Sequence, residues 1–225
     1  MTTVYSQLPN QLRVVTERIP HLETVSVGVW VGVGSRNEEL EVNGVSHLLE
    51  HMAFKGTKRR SAQDIAEEIE AVGGHVNAYT SREQTAYYVK VLKKDVALGV
   101  DILADILQNS VFANKELVRE RSVVLQEIAQ TIDTPDDIIF DQFQEVAFPN
   151  QPIGRSILGP VDQVSEYSRD TLENYMSRHY SASRMVIVGA GNLDPVLFEE
   201  TVRKKFNEIS GLERCKTDPA TYIGG

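Results

Sequence analysis

The run His75-Val-Asn-Ala-Tyr-Thr80, then Ser81-Arg82-Glu83-Gln84, then Thr85-Ala-Tyr-Tyr-Val-Lys-Val-Leu92, is the stretch from which the architecture is read. Two runs rich in β-branched and aromatic residues flank a short polar turn at Ser81-Arg82, so 75–80 and 85–92 read as paired strands. Working upstream, 11–17 and 24–33 are also strands. Val25, Val27, Val29 and Val31 alternate with other residues there, and Gly34-Ser35 closes the run. Downstream, Met185 to Ala190 is a further strand. Helices are expected from Asn43-Gly44 to just before Gly56, then over about 61–72, 94–109, 114–132, 136–147, 168–179 and 195–209. Ser61 with Asp64 forms a capping box, and Gly73-Gly74 stops the helix it opens. The acidic run Glu38, Glu39, Glu41 reads most simply as a solvated loop. Strands come in neighbouring pairs rather than in strict βαβ alternation. The fold class is therefore α+β, a largely antiparallel sheet with helices packed on one face.

With 225 residues and 41% hydrophobic content, the chain has ample material for a core. No apolar run approaches the roughly 20 residues of a membrane span, and the opening Met1-Thr2-Thr3-Val4-Tyr5 carries no signal-peptide pattern. A net charge of -9 argues against a nucleic-acid partner and favours basic ligands. The one cysteine, Cys215, excludes an internal disulfide and fits a reducing compartment.

Chemistry concentrates in His47-Leu48-Leu49-Glu50-His51. On a helix, His47 and His51 lie one turn apart on one face, the spacing at which two imidazoles hold one zinc ion. Glu50 shares that side, where a carboxylate can take a proton from metal-bound water. The order H-x-x-E-H reverses the commoner H-E-x-x-H of zinc peptidases. A zinc site needs a third protein ligand. The helix expected over 114–132 offers Glu116, Glu120 and Glu127 along the flank of an apolar stripe formed by Leu117, Val124, Leu125 and Ile128. Each has an ordinary alternative as a partner of Lys115, Arg119 or Arg121.

These features together resemble the pitrilysin family of zinc metallopeptidases, in the branch of bacterial processing proteases and the beta subunit of mitochondrial processing peptidase. The resemblance runs over nearly the whole chain, through 47–57, 73–85, 120–128, the G-x-x-x-L-G-P loop at 154–160 and 180–191. It implies Zn2+ held by His47, His51 and Glu127, with Glu50 as general base and Glu120 as an acid that orients a ligand histidine or the motif helix. Asn77, Ala78 and Tyr79 would lie on an edge strand that pairs with an extended peptide. Phe54 would border the pocket after the scissile bond. Asp137 and Asp141 match acidic positions that receive a substrate arginine. The implied activity is that of a zinc endopeptidase cleaving extended, basic peptides or presequences. Residues 1–215 would be the N-terminal catalytic half, and 216–225 the start of a linker to a homologous C-terminal half or a dimer partner. The bacterial cytoplasm is the expected compartment, with the mitochondrial matrix as the alternative. The family's Asn-Gly in the first strand is Asn10-Gln11 here, which puts a local turn in question.

Two other readings compete. S-ribosylhomocysteine lyase also carries H-x-x-E-H, but its third ligand is a cysteine, for which this chain offers only Cys215 in a polar tail. A non-catalytic or half-site scaffold subunit would keep the fold and need a C-terminal half or a partner for activity.

Overall fold

The computed structural model describes residues 3–211 and 219–224. Its spine is a six-stranded sheet in the order β1-β2-β6-β3-β5-β4. The strands are β1 (Thr3–Gln7), β2 (Arg13–Arg18), β3 (Thr24–Val31), β4 (His75–Thr80), β5 (Thr85–Leu92) and β6 (Met185–Gly191). All neighbours are antiparallel except β2 and β6, which run parallel. The expected α+β sheet is therefore present, with one parallel pair that the pattern of hairpins does not announce. The helices are α1 (Val45–Ala53), α2 (Ala62–Glu70), α3 (Val96–Gln108), α4 (Asn114–Asp133), α5 (Pro135–Ala147), α6 (Val161–Glu166), α7 (Arg169–His179) and α8 (Pro195–Lys205).

Alternation decides which face of the sheet is covered. Val25, Val27, Val29 and Val31 of β3 are buried, as are Tyr87, Val89 and Val91 of β5. They form one core with Leu48, Leu49 and Met52 of α1 and Ile102, Leu103 and Ile106 of α3. On the opposite face the Trp30 indole lies over Gly28, where an added Cβ would come within 2.4 Å of the ring.

Two elements escaped the sequence reading. β1 has no buried residue, so it shows no apolar alternation; it exists as an edge strand paired along its length to β2. The six-residue α6 is too short for a periodic signal. The helix expected to run to 209 stops at Lys205. The turn questioned at Asn10-Gln11 forms: Gln11 takes φ 72°, and its amide bonds the Leu8 carbonyl at 2.8 Å. Cys215 and the proposed boundary at 215/216 fall outside the described residues.

Candidate active site

The motif helix begins at a backbone crossing. Gly44, its N-cap, has φ 96°, and a Cβ there would meet the Leu158 carbonyl oxygen at 2.5 Å. Gly159 (φ 76°) answers from the 154–160 loop, where a Cβ would sit 2.2 Å from the Asn43 carbonyl oxygen. Both positions need glycine for conformation and for space.

Gly44 has no side chain with which to cap α1, and Glu38 supplies the cap instead. Its carboxylate accepts from the Gly44 amide, the Ser46 amide and the Asn43 side-chain amide, each at 2.8 Å. Glu38 is 3% exposed, which corrects the solvated-loop reading of the acidic run for this residue. Glu39 and Glu41 are exposed as expected. A carboxylate at a helix N-terminus is favoured by the helix dipole, although burial pushes the Glu38 pKa up and the hydrogen bonds only partly offset it. Glu38→Gln loses an acceptor for a buried amide and the charge facing the dipole. It is expected to cost about 2–3 kcal/mol, read as a lower midpoint in urea unfolding with zinc absent.

From this anchored start, α1 carries His47, Glu50 and His51 toward α4. His47 Nε2 lies 3.5 Å from Glu127 Oε2, and His51 Nε2 lies 3.6 Å from the same oxygen. With bonds of 2.0–2.1 Å, the edges of a tetrahedral zinc site are roughly 3.4 Å, so the two edges to Glu127, at 3.5 and 3.6 Å, are close to those of a bound ion. Among the described residues, His47, His51 and Glu127 are the group able to hold a metal, their ligand atoms all within 4.8 Å of one another. The donor set of two imidazole nitrogens and one carboxylate oxygen is suited to zinc.

Burial, then the neighbouring His51, lowers the His47 pKa to about 4, so the ring is neutral at pH 7 and free to donate a lone pair. The half-buried Glu127 does not reverse this. A histidine whose folded pKa lies below its ordinary 6.5 favours the folded state fully above pH 6.5. That advantage is lost as pH falls from 6.5 through 4, because the unfolded chain then binds the extra proton. Metal-free protein is therefore expected to lose about 3 kcal/mol over this window from His47. The pH dependence of urea unfolding should flatten by that amount in His47→Gln.

Glu120 stands outside the ligand trio. Its Oε2 is 3.1 Å from His51 Nδ1, and its Oε1 is 2.8 Å from Lys55 Nζ. Glu116 pairs with Arg119 at 3.1 Å, its ordinary alternative. Glu50 is half-buried on α1. Burial raises its pKa, and hydrogen bonds with the side chain and backbone of Thr80 oppose the shift. Thr80 ends β4, so the helix and the edge strand meet at this carboxylate.

β4 is the outermost strand beside β5. Asn77 and Tyr79 are exposed and Ala78 is half-buried. The Ala78 amide donates to the Asn77 side-chain oxygen at 2.9 Å, and the Tyr79 hydroxyl accepts from Trp30 at 3.2 Å and Gln84 at 3.0 Å. Phe54 C-caps α1 with its ring 6.4 Å from Tyr87. On α5, Asp137 is exposed, whereas Asp141 already holds an arginine of this chain, Arg82 from the β4–β5 turn, at 2.8 Å. Sequence reasoning missed Glu38, Lys55 and Arg82. Glu38 and Arg82 stand at no helical or strand spacing from the motif, whereas Lys55, four residues after His51, does.

Residues 13–161 match the family described as insulinase, peptidase family M16. The chain belongs to peptidase family M16. Residues 166–223 match a second family model, described as the peptidase M16 inactive domain. Among similar proteins, a probable mitochondrial-processing peptidase subunit beta of Arabidopsis thaliana is 48% identical over 99% of the chain and 43% of its own length. An uncharacterized zinc protease of Rickettsia felis is 41% identical, over 98% of the chain and 53% of its own length. A protease from Helicobacter pylori shares the fold with a TM-score of 0.90 at 24% identity, over 98% of the chain and 54% of that structure. The chain thus spans about half the length of the relatives it matches. Within this M16 fold, no helix among the described residues is long and apolar enough to cross a membrane.

Proposed function

We propose that this chain is the zinc-binding half of an M16 endopeptidase, with His47, His51 and Glu127 as ligands and Glu50 as general base. The observation that carries the reading is the convergence of both His Nε2 atoms on one Glu127 oxygen, at 3.5 and 3.6 Å. Zinc, when bound, would polarise the scissile carbonyl and acidify a water. Glu50 accepts the proton of the attacking water and returns it to the leaving amine; burial shifts its pKa upward, the direction that makes it a stronger base. Glu120 holds His51 through Nδ1, which leaves Nε2 for the metal. A carboxylate as third ligand, not a thiolate, separates the site from the lyase reading.

The substrate class proposed is an extended peptide that adds to β4, with Asn77, Ala78 and Tyr79 as its backbone and side-chain contacts and Phe54 beyond the scissile bond. Such a strand would displace the Asn77 side chain from the Ala78 amide. Asp137 and Asp141 are proposed to receive a basic residue, which at Asp141 must compete with Arg82. Arg82→Ala is expected to lower KM for arginine-containing peptides severalfold and to leave KM for neutral peptides unchanged, as steady-state assays would show.

A second reading, a half-site that needs a homologous C-terminal half or partner, is favoured by the chain's 43% coverage of its Arabidopsis relative. Surface chemistry agrees. Ile139, Phe140, Phe143 and Val146 form an apolar stripe on α5, and all are more than half exposed. Residues 219–224 run beside it: Ile223 donates to the Ala147 carbonyl at 3.1 Å, and Thr221 and Gln151 exchange two hydrogen bonds at 2.8 Å. We place the catalytic half at 1–215 and the start of a linker at 216–225. The bacterial cytoplasm is the proposed compartment, with the mitochondrial matrix as the alternative, and relatives named from both origins match. Peptidase assays of the chain alone and with an M16 C-terminal half test both readings. Slow turnover that the added half raises would support the half-site; full turnover by the lone chain would refute it.

A further inference from the structure

We infer that Lys55 is a positioning residue for the metal site: it pins the Glu120 carboxylate so that Glu120 fixes His51 and stays out of the ligand set. The inference rests on the zinc-binding reading above. Glu120 is 7% exposed, and a carboxylate so buried requires a fixed counter-charge or hydrogen-bond donors. The arginines on either side of it are engaged elsewhere. Arg119 pairs with Glu116 at 3.1 Å, and Arg121 donates to the Tyr167 carbonyl at 3.2 Å. Lys55, just past the end of α1, reaches Glu120 Oε1 at 2.8 Å and leaves Oε2 facing His51 Nδ1 at 3.1 Å. The two oxygens thus have separate tasks, and the chain Lys55–Glu120–His51 runs outward from the trio.

Consequences for the two rings differ. His51, with Glu120 accepting at Nδ1, is held as the tautomer whose Nε2 lone pair faces Glu127. His47 has no such support: its Nδ1 is buried without a hydrogen-bond partner. His51 is therefore the ring whose orientation is set from outside, and Lys55 is the far end of that arrangement. Without Lys55, Glu120 loses its counter-charge and is free to turn. As a flexible acid two turns from Glu127 on the same flank of α4, it would also draw the ion away from the trio.

Charge alone predicts the opposite sign. Removing a cation from the neighbourhood of a divalent ion should tighten capture of that ion, whereas loss of positioning should weaken it. Zinc affinity of the 225-residue chain, measured by competition with a chromogenic chelator, separates the two. Lys55→Met is expected to bind zinc about 10–100-fold more weakly, and Lys55→Arg to retain most of the affinity. In a Glu120→Gln background, Lys55→Met should add no further loss. Nitrogen NMR of metal-free protein at pH 8 supplies an independent readout: Nδ1-protonated His51 in the parent chain, mixed tautomers in Lys55→Met, and an unchanged His47. Equal or tighter zinc binding by Lys55→Met, or an unchanged His51 tautomer, overturns the inference. A parent chain that binds no zinc overturns the proposed function instead, and the NMR comparison still decides what Lys55 does to His51.

Discussion

Glu50→Gln is expected to abolish peptide hydrolysis while zinc stays bound. The amide keeps the size of the side chain and a hydrogen-bonding oxygen for Thr80, so α1 and the trio are undisturbed. It cannot accept the proton of an attacking water. Loss of a positioned general base costs about 10²–10⁴ in rate, while the chelator-measured zinc affinity should stay near that of the parent. Because the burial that raises the Glu50 pKa comes from its seat between α1 and β4, Glu50→Asp should also fail: the carboxylate survives but withdraws from Thr80. Turnover in Glu50→Gln comparable to the parent, measured in the chain joined by its C-terminal half, would remove Glu50 from the mechanism.

Zinc itself should be lost from His51→Ala and from Glu127→Ala. Each removes one of the three atoms that converge, and the two that remain form at most a bidentate chelate, one protein ligand short of a stable zinc site and too weak to keep the ion through purification. The two variants should differ in the metal-free state. Glu127 is half-buried and lies 3.5 and 3.6 Å from the two ring nitrogens, beyond close hydrogen-bond distance, so Glu127→Ala should unfold at nearly the parent urea concentration. His51→Ala leaves Glu120, 7% exposed, with Lys55 as its remaining partner, and should be less stable by about 1–2 kcal/mol. Elemental analysis of purified protein checks the first statement and urea unfolding the second. Zinc retained by either variant would contradict the ligand assignment.

Much of this was legible because it is local. The spacing of His47 and His51, the Ser61–Asp64 capping box and the hairpin 75–92 are patterns within a few residues, and each element forms as read. Choosing Glu127 over Glu120 was different. Both acids lie on the same flank of α4, and periodicity alone left them equivalent; the resemblance separated them, and the structure sets Glu127 against both Nε2 atoms and Glu120 against Nδ1. Long-range partners were invisible. Glu38 sat in an acidic run that composition assigns to solvent, yet tertiary packing buries it over the first turn of α1. Arg82 and Asp141 are distant in sequence and meet only because the β4–β5 turn reaches α5. β1 escaped because an edge strand with both faces exposed has no apolar period to display.

The account stands on one ion seated between α1 and α4. Crystals of the zinc-loaded chain, measured on both sides of the zinc absorption edge, should show a single anomalous peak bonded to His47 Nε2, His51 Nε2 and a Glu127 oxygen, with Glu120 still on His51 Nδ1. A peak at other residues, or a zinc-loaded chain with no peak at this trio, would contradict it.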